Sequence, residues 1–97
     1  MMLANKKIEW DDEKNAKLIV ERKIGFEDVY VAILHGGLRD IVHGKKPKYA
    51  HQRIFVVFID GYTYPVPFVE DGKRIFLKTI YPSRELHKKY SGGRYAS

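Results

Sequence analysis

Ile8-Glu9-Trp10-Asp11-Asp12-Glu13-Lys14-Asn15, followed a few turns later by Gly25-Phe26-Glu27-Asp28, sets the architecture of the N-terminal half. The stretch reads as a short apolar strand end, an acidic helix start and then a second helix start. Ile8 to Trp10 suits a short edge strand. Asp11 or Asp12 can accept hydrogen bonds from the orphan N–H groups of a first helical turn. Asp12 and Glu13 also suit the positive end of the helix dipole. The first helix is expected from about Asp12 to Arg22, with Ala16, Ile19 and Val20 as its apolar stripe. The second begins near Phe26 with Gly25 as N-cap. Its stripe is Phe26, Val29, Tyr30, Ile33 and Leu34, and Gly36-Gly37 ends it.

Working outward, residues 38–50 form a connector that is partly extended over Leu38 to His43, with Gly44-Lys45-Lys46-Pro47-Lys48 as an exposed basic loop. The second half reads as a β-meander of three strands, Arg53 to Ile59, Tyr62 to Glu70 and Lys73 to Ile80. Its turns are Asp60-Gly61 and Asp71-Gly72, since Asp-Gly between apolar runs supplies the positive φ of a tight hairpin. Two such turns leave Tyr62 and Glu70 with the same parity but opposite neighbours. A bulge near Pro65 and Pro67, or one longer loop, would resolve that conflict. The strand Ile54-Phe55-Val56-Val57-Phe58-Ile59 is apolar on both faces. One face suits the helices; the other needs loops and the C-terminal segment, a partner protein or a second subunit. Ser83 to Tyr90 reads as a short last helix capped by Ser83. The expected fold is α+β: two N-terminal helices on a three- to four-stranded antiparallel meander, with a short C-terminal helix.

Ninety-seven residues make one domain, 1–97, with 1–7 and 91–97 as expected flexible ends. There is no cysteine, which excludes disulfides and thiolate metal sites and fits a cytoplasmic location. No apolar run suits a membrane span or a signal peptide. The net charge of +6 favours anionic partners, RNA among them.

No phosphate-binding glycine loop, metal-binding histidine pair or serine nucleophile elbow is present. The histidines, His35, His43, His51 and His87, are scattered. What remains is a basic and hydroxyl set in the second half, suited to cofactor-free RNA cleavage by the ribose 2′-hydroxyl. Such a reaction needs a base, an acid and fixed positive charge. Lys78 and Arg74 are the candidates for charge, and His51 and Tyr81 for proton transfer. Arg53, Arg84, Lys88 and Tyr90 are candidates for holding RNA by charge and stacking. Trp10 reads as a half-buried anchor, and Tyr62 and Tyr64 as sheet packing.

The Trp10-Asp11 start, Lys14-Asn15, Gly25-Phe26-Glu27-Asp28 and the closing run Arg74-Ile75 to Glu85 and Tyr90 together resemble the BrnT-like toxins. That resemblance implies a RelE-like fold and metal-independent endoribonuclease action on messenger RNA in the cytoplasm. It also implies a cognate antitoxin, often a ribbon-helix-helix DNA-binding protein, and assembly as a homodimer or heterotetramer. The chain departs from the pattern in three places, the first being Glu21-Arg22, where the family has Lys-His. Lys23 stands where the family usually has glycine, and Thr79 where it has a second arginine. On a regular strand Lys78 would face away from Thr79. A degenerate module that binds RNA or protein without cutting is the alternative.

Overall fold

The structure is a computed structural model that describes residues 2–44 and 52–91. It has a mixed α+β fold. Strands β1 (Met2–Leu3), β2 (Lys6–Trp10), β3 (Leu38–His43), β4 (Arg53–Ile59), β5 (Tyr62–Glu70) and β6 (Arg74–Leu77) form one sheet in the order β1-β2-β6-β5-β4-β3. The helices are α1 (Asp12–Arg22), α2 (Phe26–Leu34) and α3 (Arg84–Ser91). The expected class is present, but the sheet is not a three- to four-stranded antiparallel meander. It has six strands, and β2 lies parallel to β6 with Trp10 opposite Leu77. β2 is therefore an inner strand, flanked by β1 and β6, rather than an edge.

The N-terminal signals act as read. Asp11 accepts the Glu13 and Lys14 N–H groups at 2.8 and 3.2 Å and starts α1. Gly25 N–H donates to Asp28 at 2.8 Å at the start of α2. The face of α1 differs from expectation: Leu18 is buried, while Ile19 and Val20 are 49% and 73% exposed. The short sequence allowed two stripes, and Asn15 with Leu18 won because Asn15 bonds to α2. Leu34 of the second stripe is also exposed. Lys23 ends α1 in the left-handed region with φ 58°, so the glycine-like turn persists without glycine.

One sheet face and the helices enclose the main core. Ile8, Phe55, Val57, Val66, Phe68, Ile75 and Leu77 pack with Leu18, Ile24, Phe26 and Val29. Trp10 stacks on Phe26 with ring centroids 5.7 Å apart, and Phe55 on Phe68 at 3.9 Å. Full burial of each such side chain contributes about 1.5–3 kcal/mol.

The parity conflict has a simpler resolution than a bulge in β5. The β4–β5 register runs unbroken from Ile59↔Tyr62 to Arg53↔Phe68. Asp60 and Gly61 both have positive φ, 48° and 82°, and make the expected turn. The second turn is displaced by one residue: Asp71 N–H donates to Arg74 O at 3.0 Å, so Gly72 and Lys73 form its tip. Asp71 rather than Glu70 then faces β6. Pro67 and Pro65 fall on that same edge of β5, where β6 is ending. Pro67 O still accepts Lys78 N–H at 2.8 Å, but neither proline has an N–H to strand.

The segment 38–43 is a full edge strand. Its bulge at Arg39 is marked by the step from Leu38↔Val57 to Asp40↔Val56.

Candidate functional site

The second face of β4 and β5 carries Ile54, Val56, Pro65 and Pro67. α3 lies against β5 and buries part of this face. Thr63 N–H, on the proline edge of β5, donates to His87 Nδ1 at 3.1 Å, which fixes that nitrogen as the acceptor. The His87 ring also stacks on Tyr62 at 4.3 Å. Ser83 Oγ accepts Leu86 N–H at 3.2 Å and caps the helix, as its sequence position implies. At the far end Tyr90 is 7% exposed, and its hydroxyl donates to Asp40 of β3 at 2.5 Å. That bond, followed by the Ile41 N–H, holds the Asp40 carboxyl below its ordinary range.

Between α3 and the sheet lies a cleft of about 780 Å³. Ile54, Pro65, Pro67 and Leu86 are among its apolar lining; among the described residues, Lys14, Lys78 and Lys89 supply positive charge against the one carboxylate of Glu85. Thr79, Tyr81 and Ser83 add hydroxyls. Two features of the topology assemble it. β2 and β6 run parallel and end side by side, so the first turn of α1, with Lys14, meets the chain leaving β6. β6 stops at Leu77 and Lys78 N–H makes a last bond to β5, so residue 79 is not held to strand alternation. Lys78 and Thr79 consequently line the same cleft.

The structure brings together only part of the residue set expected from sequence. Lys78 and Tyr81 line the cleft. Arg74 lies at the other end of β6, 3.7 Å from Glu9, in a separate shallow depression. Arg53 pairs with Phe68 in register, on the core side of the sheet, and forms an ion pair with Glu70. Lys6 bonds the other Glu70 oxygen at 2.8 Å, and the two cations lower the Glu70 pKa, Lys6 foremost. Arg84 and Lys88 are exposed on α3 outside the cleft lining. Tyr90 is an anchor of α3 rather than a surface ring. His51 and the basic run Lys45-Lys46-Pro47-Lys48 lie outside the described residues.

Lys14 and Lys89 were not among the expected site residues. Lys14 had no visible link to the second half without the parallel β2–β6 pair. Pro65 and Pro67 did signal an edge without donors; that α3 would cover it was not readable from them. His43 is also among the cleft's lining residues, although its pairing with Arg53 puts its backbone position on the core-side face of the sheet. Among the described residues, no group of three His, Asp or Glu side chains could hold a metal ion. No helix among them is long and apolar enough to cross a membrane.

Compared with known protein families, curated proteins and solved structures, the chain has no match.

Proposed function

We propose that this chain is a BrnT-like toxin with a RelE-like arrangement, a metal-independent endoribonuclease acting on messenger RNA in the cytoplasm. The observation that supports this reading best is the joint presence of Lys14, Lys78, Lys89 and Tyr81 around one cleft. Three ammonium groups facing one carboxylate suit a phosphodiester, and the apolar lining suits an unstacked base. In the proposed reaction the ribose 2′-hydroxyl attacks the adjacent phosphorus. The bond to the 5′-oxygen breaks, leaving a 2′,3′-cyclic phosphate and a 5′-hydroxyl. A base takes the 2′-hydroxyl proton, and an acid returns one to the departing oxygen. Lys78 stabilises the phosphorane charge in the place of the family's arginine at Thr79. Tyr81 is the described hydroxyl for proton donation, with His51 as the remaining candidate for the base. The cognate ribbon-helix-helix antitoxin would cover the cleft, in a heterotetramer or on a toxin homodimer.

The test is cleavage of a single-stranded RNA by the purified protein, wild type beside Lys78→Ala, Tyr81→Phe and the exposed control Arg84→Ala. Cleavage with a cyclic-phosphate product, lowered about a hundredfold or more by Lys78→Ala and little changed by Arg84→Ala, is expected. RNA that binds with strong salt dependence but stays intact would replace this reading with the binding module.

A further inference from the structure

The sheet face that bears the cleft continues past it, across β6 to β2. There Glu9, Val69, Arg74 and Phe76 line a second, open depression of about 250 Å³. The register accounts for the grouping: Glu9 and Val69 both stand opposite Phe76 on its two neighbouring strands. Arg74 precedes Phe76 by two residues and shares its face. The Phe76 ring is half-buried, and among the described residues no helical side chain lines this depression. Lys78 joins the two concavities. It lines the cleft, and its Nζ stands 5.4 Å from the centre of the Phe76 ring.

The charges of this depression differ from those of the cleft. Glu70 and Asp71 also border it, but both carboxylates are engaged: Glu70 with Lys6 and Arg53, Asp71 with the N–H groups of Lys73 and Arg74. Glu9 and Arg74 remain as its polar pair. Their 3.7 Å separation exceeds a hydrogen bond, and Arg74 is exposed and Glu9 partly so, which leaves each with bonding capacity for a ligand. An aromatic floor with one planar donor and one acceptor beside it fits a nucleobase better than a phosphate.

We infer that Phe76, Arg74 and Glu9 form a subsite for a guanine base of single-stranded RNA, next to the phosphate held at Lys78. The inference rests on the reading that the cleft binds RNA. Guanine offers the O6 and N7 acceptors to a guanidinium, and its N1–H and N2 amino group are donors for a carboxylate. Adenine keeps the N7 acceptor but places an amino group where guanine has O6, and it turns a bare ring nitrogen toward Glu9. Cytosine likewise presents an amino group and a bare ring nitrogen. Phe76 supplies stacking, which is indifferent to base identity.

Binding of 2′-O-methyl oligonucleotides tests the subsite apart from catalysis, because the attacking hydroxyl is blocked. The probes are a cytidine tract, the same tract with one guanosine, with one adenosine, and with one inosine. The guanosine probe is expected to bind about tenfold tighter than the adenosine probe or the plain tract, with inosine between. Glu9→Gln should remove most of that preference, and Phe76→Leu should weaken all four probes together. Equal affinity for guanosine and adenosine in the wild type overturns the subsite. If those equal affinities still fall with salt and with Lys78→Ala, the RNA reading stands without it. A guanosine preference that Glu9→Gln lowers supports the subsite even where unmodified RNA is not cut. Failure of every probe to bind overturns both.

Discussion

Asn15 of α1 accepts the first amide N–H of α2, from Phe26, at 2.8 Å. The bond supplies the side-chain cap that Gly25 lacks, from a different helix. It also sets the distance between the helices, since a Cβ on Gly25 would stand 2.9 Å from Asn15 Oδ1 and 2.9 Å from Ile19 Cγ1. Asn15→Ala leaves a part-buried N–H without this acceptor and is expected to cost about 1–2 kcal/mol. Asn15→Asp, which keeps the acceptor, should cost less. Urea unfolding of the two variants checks the order.

Lys23 holds φ 58° and ends α1 through its N–H bond to Ile19 O at 3.1 Å. A left-handed non-glycine residue carries a local cost of about 1–2 kcal/mol. Lys23→Gly relieves it but adds entropy to the unfolded chain. The expected net is a gain of up to about 1 kcal/mol, read as a higher urea midpoint with an unchanged slope. A loss of stability would mean that the lysine side chain contributes contacts that outweigh the strain.

Local signals were legible where one or two residues dictate the backbone. Asp11 as a cap, Gly25 before Phe26, Asp60-Gly61 as a turn and Ser83 before α3 all stand where their chemistry requires. The face of α1 was not legible, because Ala16, Ile19 and Val20 compete with a stripe containing a polar Asn15 whose partner lies on another helix. The β2–β6 pairing was not legible either. It joins residues far apart in sequence, and nothing in Ile8-Glu9-Trp10 distinguishes an inner strand from an edge. The cleft depends on that pairing, so Lys78 and Tyr81 could be singled out by type while Lys14 could not.

Gly36 and Gly37 follow α2 but carry different constraints. Gly36 has φ 86° with open space around it, so Gly36→Ala costs conformational strain of about 1 kcal/mol. A Cβ on Gly37 would stand 2.7 Å from Phe58 O and 2.8 Å from Ala32 O. Both are backbone atoms, and Gly37 is bonded to both residues: its N–H donates to Ala32 O at 2.7 Å, and its carbonyl accepts from Phe58 N–H at 2.8 Å. Gly37→Ala must separate α2 from β4 and is expected to cost about 3 kcal/mol, more than Gly36→Ala. Thermal unfolding of both variants tests the ranking.

Glu70 joins β1–β2 chain to β4 through Lys6 and Arg53, and its pKa lies below the ordinary 4.5. A lowered carboxylate pKa means that the unfolded chain binds the proton more readily. The cluster's contribution is therefore fully present above about pH 4.5 and is lost as the pH falls through the lower folded value. The side chains are partly exposed, so solvent screening limits the effect to roughly 1 kcal/mol or less. Glu70→Gln should lower stability at neutral pH and flatten its decline in acid. Unfolding midpoints measured from pH 7 to pH 3 should show the two proteins converging.

Tyr90 and Asp40 tie the end of α3 to β3, across the strands that floor the cleft. Asp40 takes the Tyr90 hydroxyl on one oxygen and the Ile41 N–H on the other, at 2.5 and 2.7 Å. Tyr90→Phe keeps the buried ring and removes only the hydroxyl bond. Asp40 is solvent-accessible, so the expected loss is modest, about 1 kcal/mol. The Asp40 carboxyl should titrate closer to 3.8, because its largest stabilising partner is gone. Its folded pKa is lowered in the wild type, so this pair's contribution disappears as the pH drops through that value, and Tyr90→Phe should show less of that loss. Hydrogen exchange supplies the structural readout: amides of α3 should exchange faster while those of α2 do not change. A shifted Asp40 titration with unaltered exchange in α3 would mean that the buried ring and the His87 contacts hold the helix over the cleft without the hydroxyl bond.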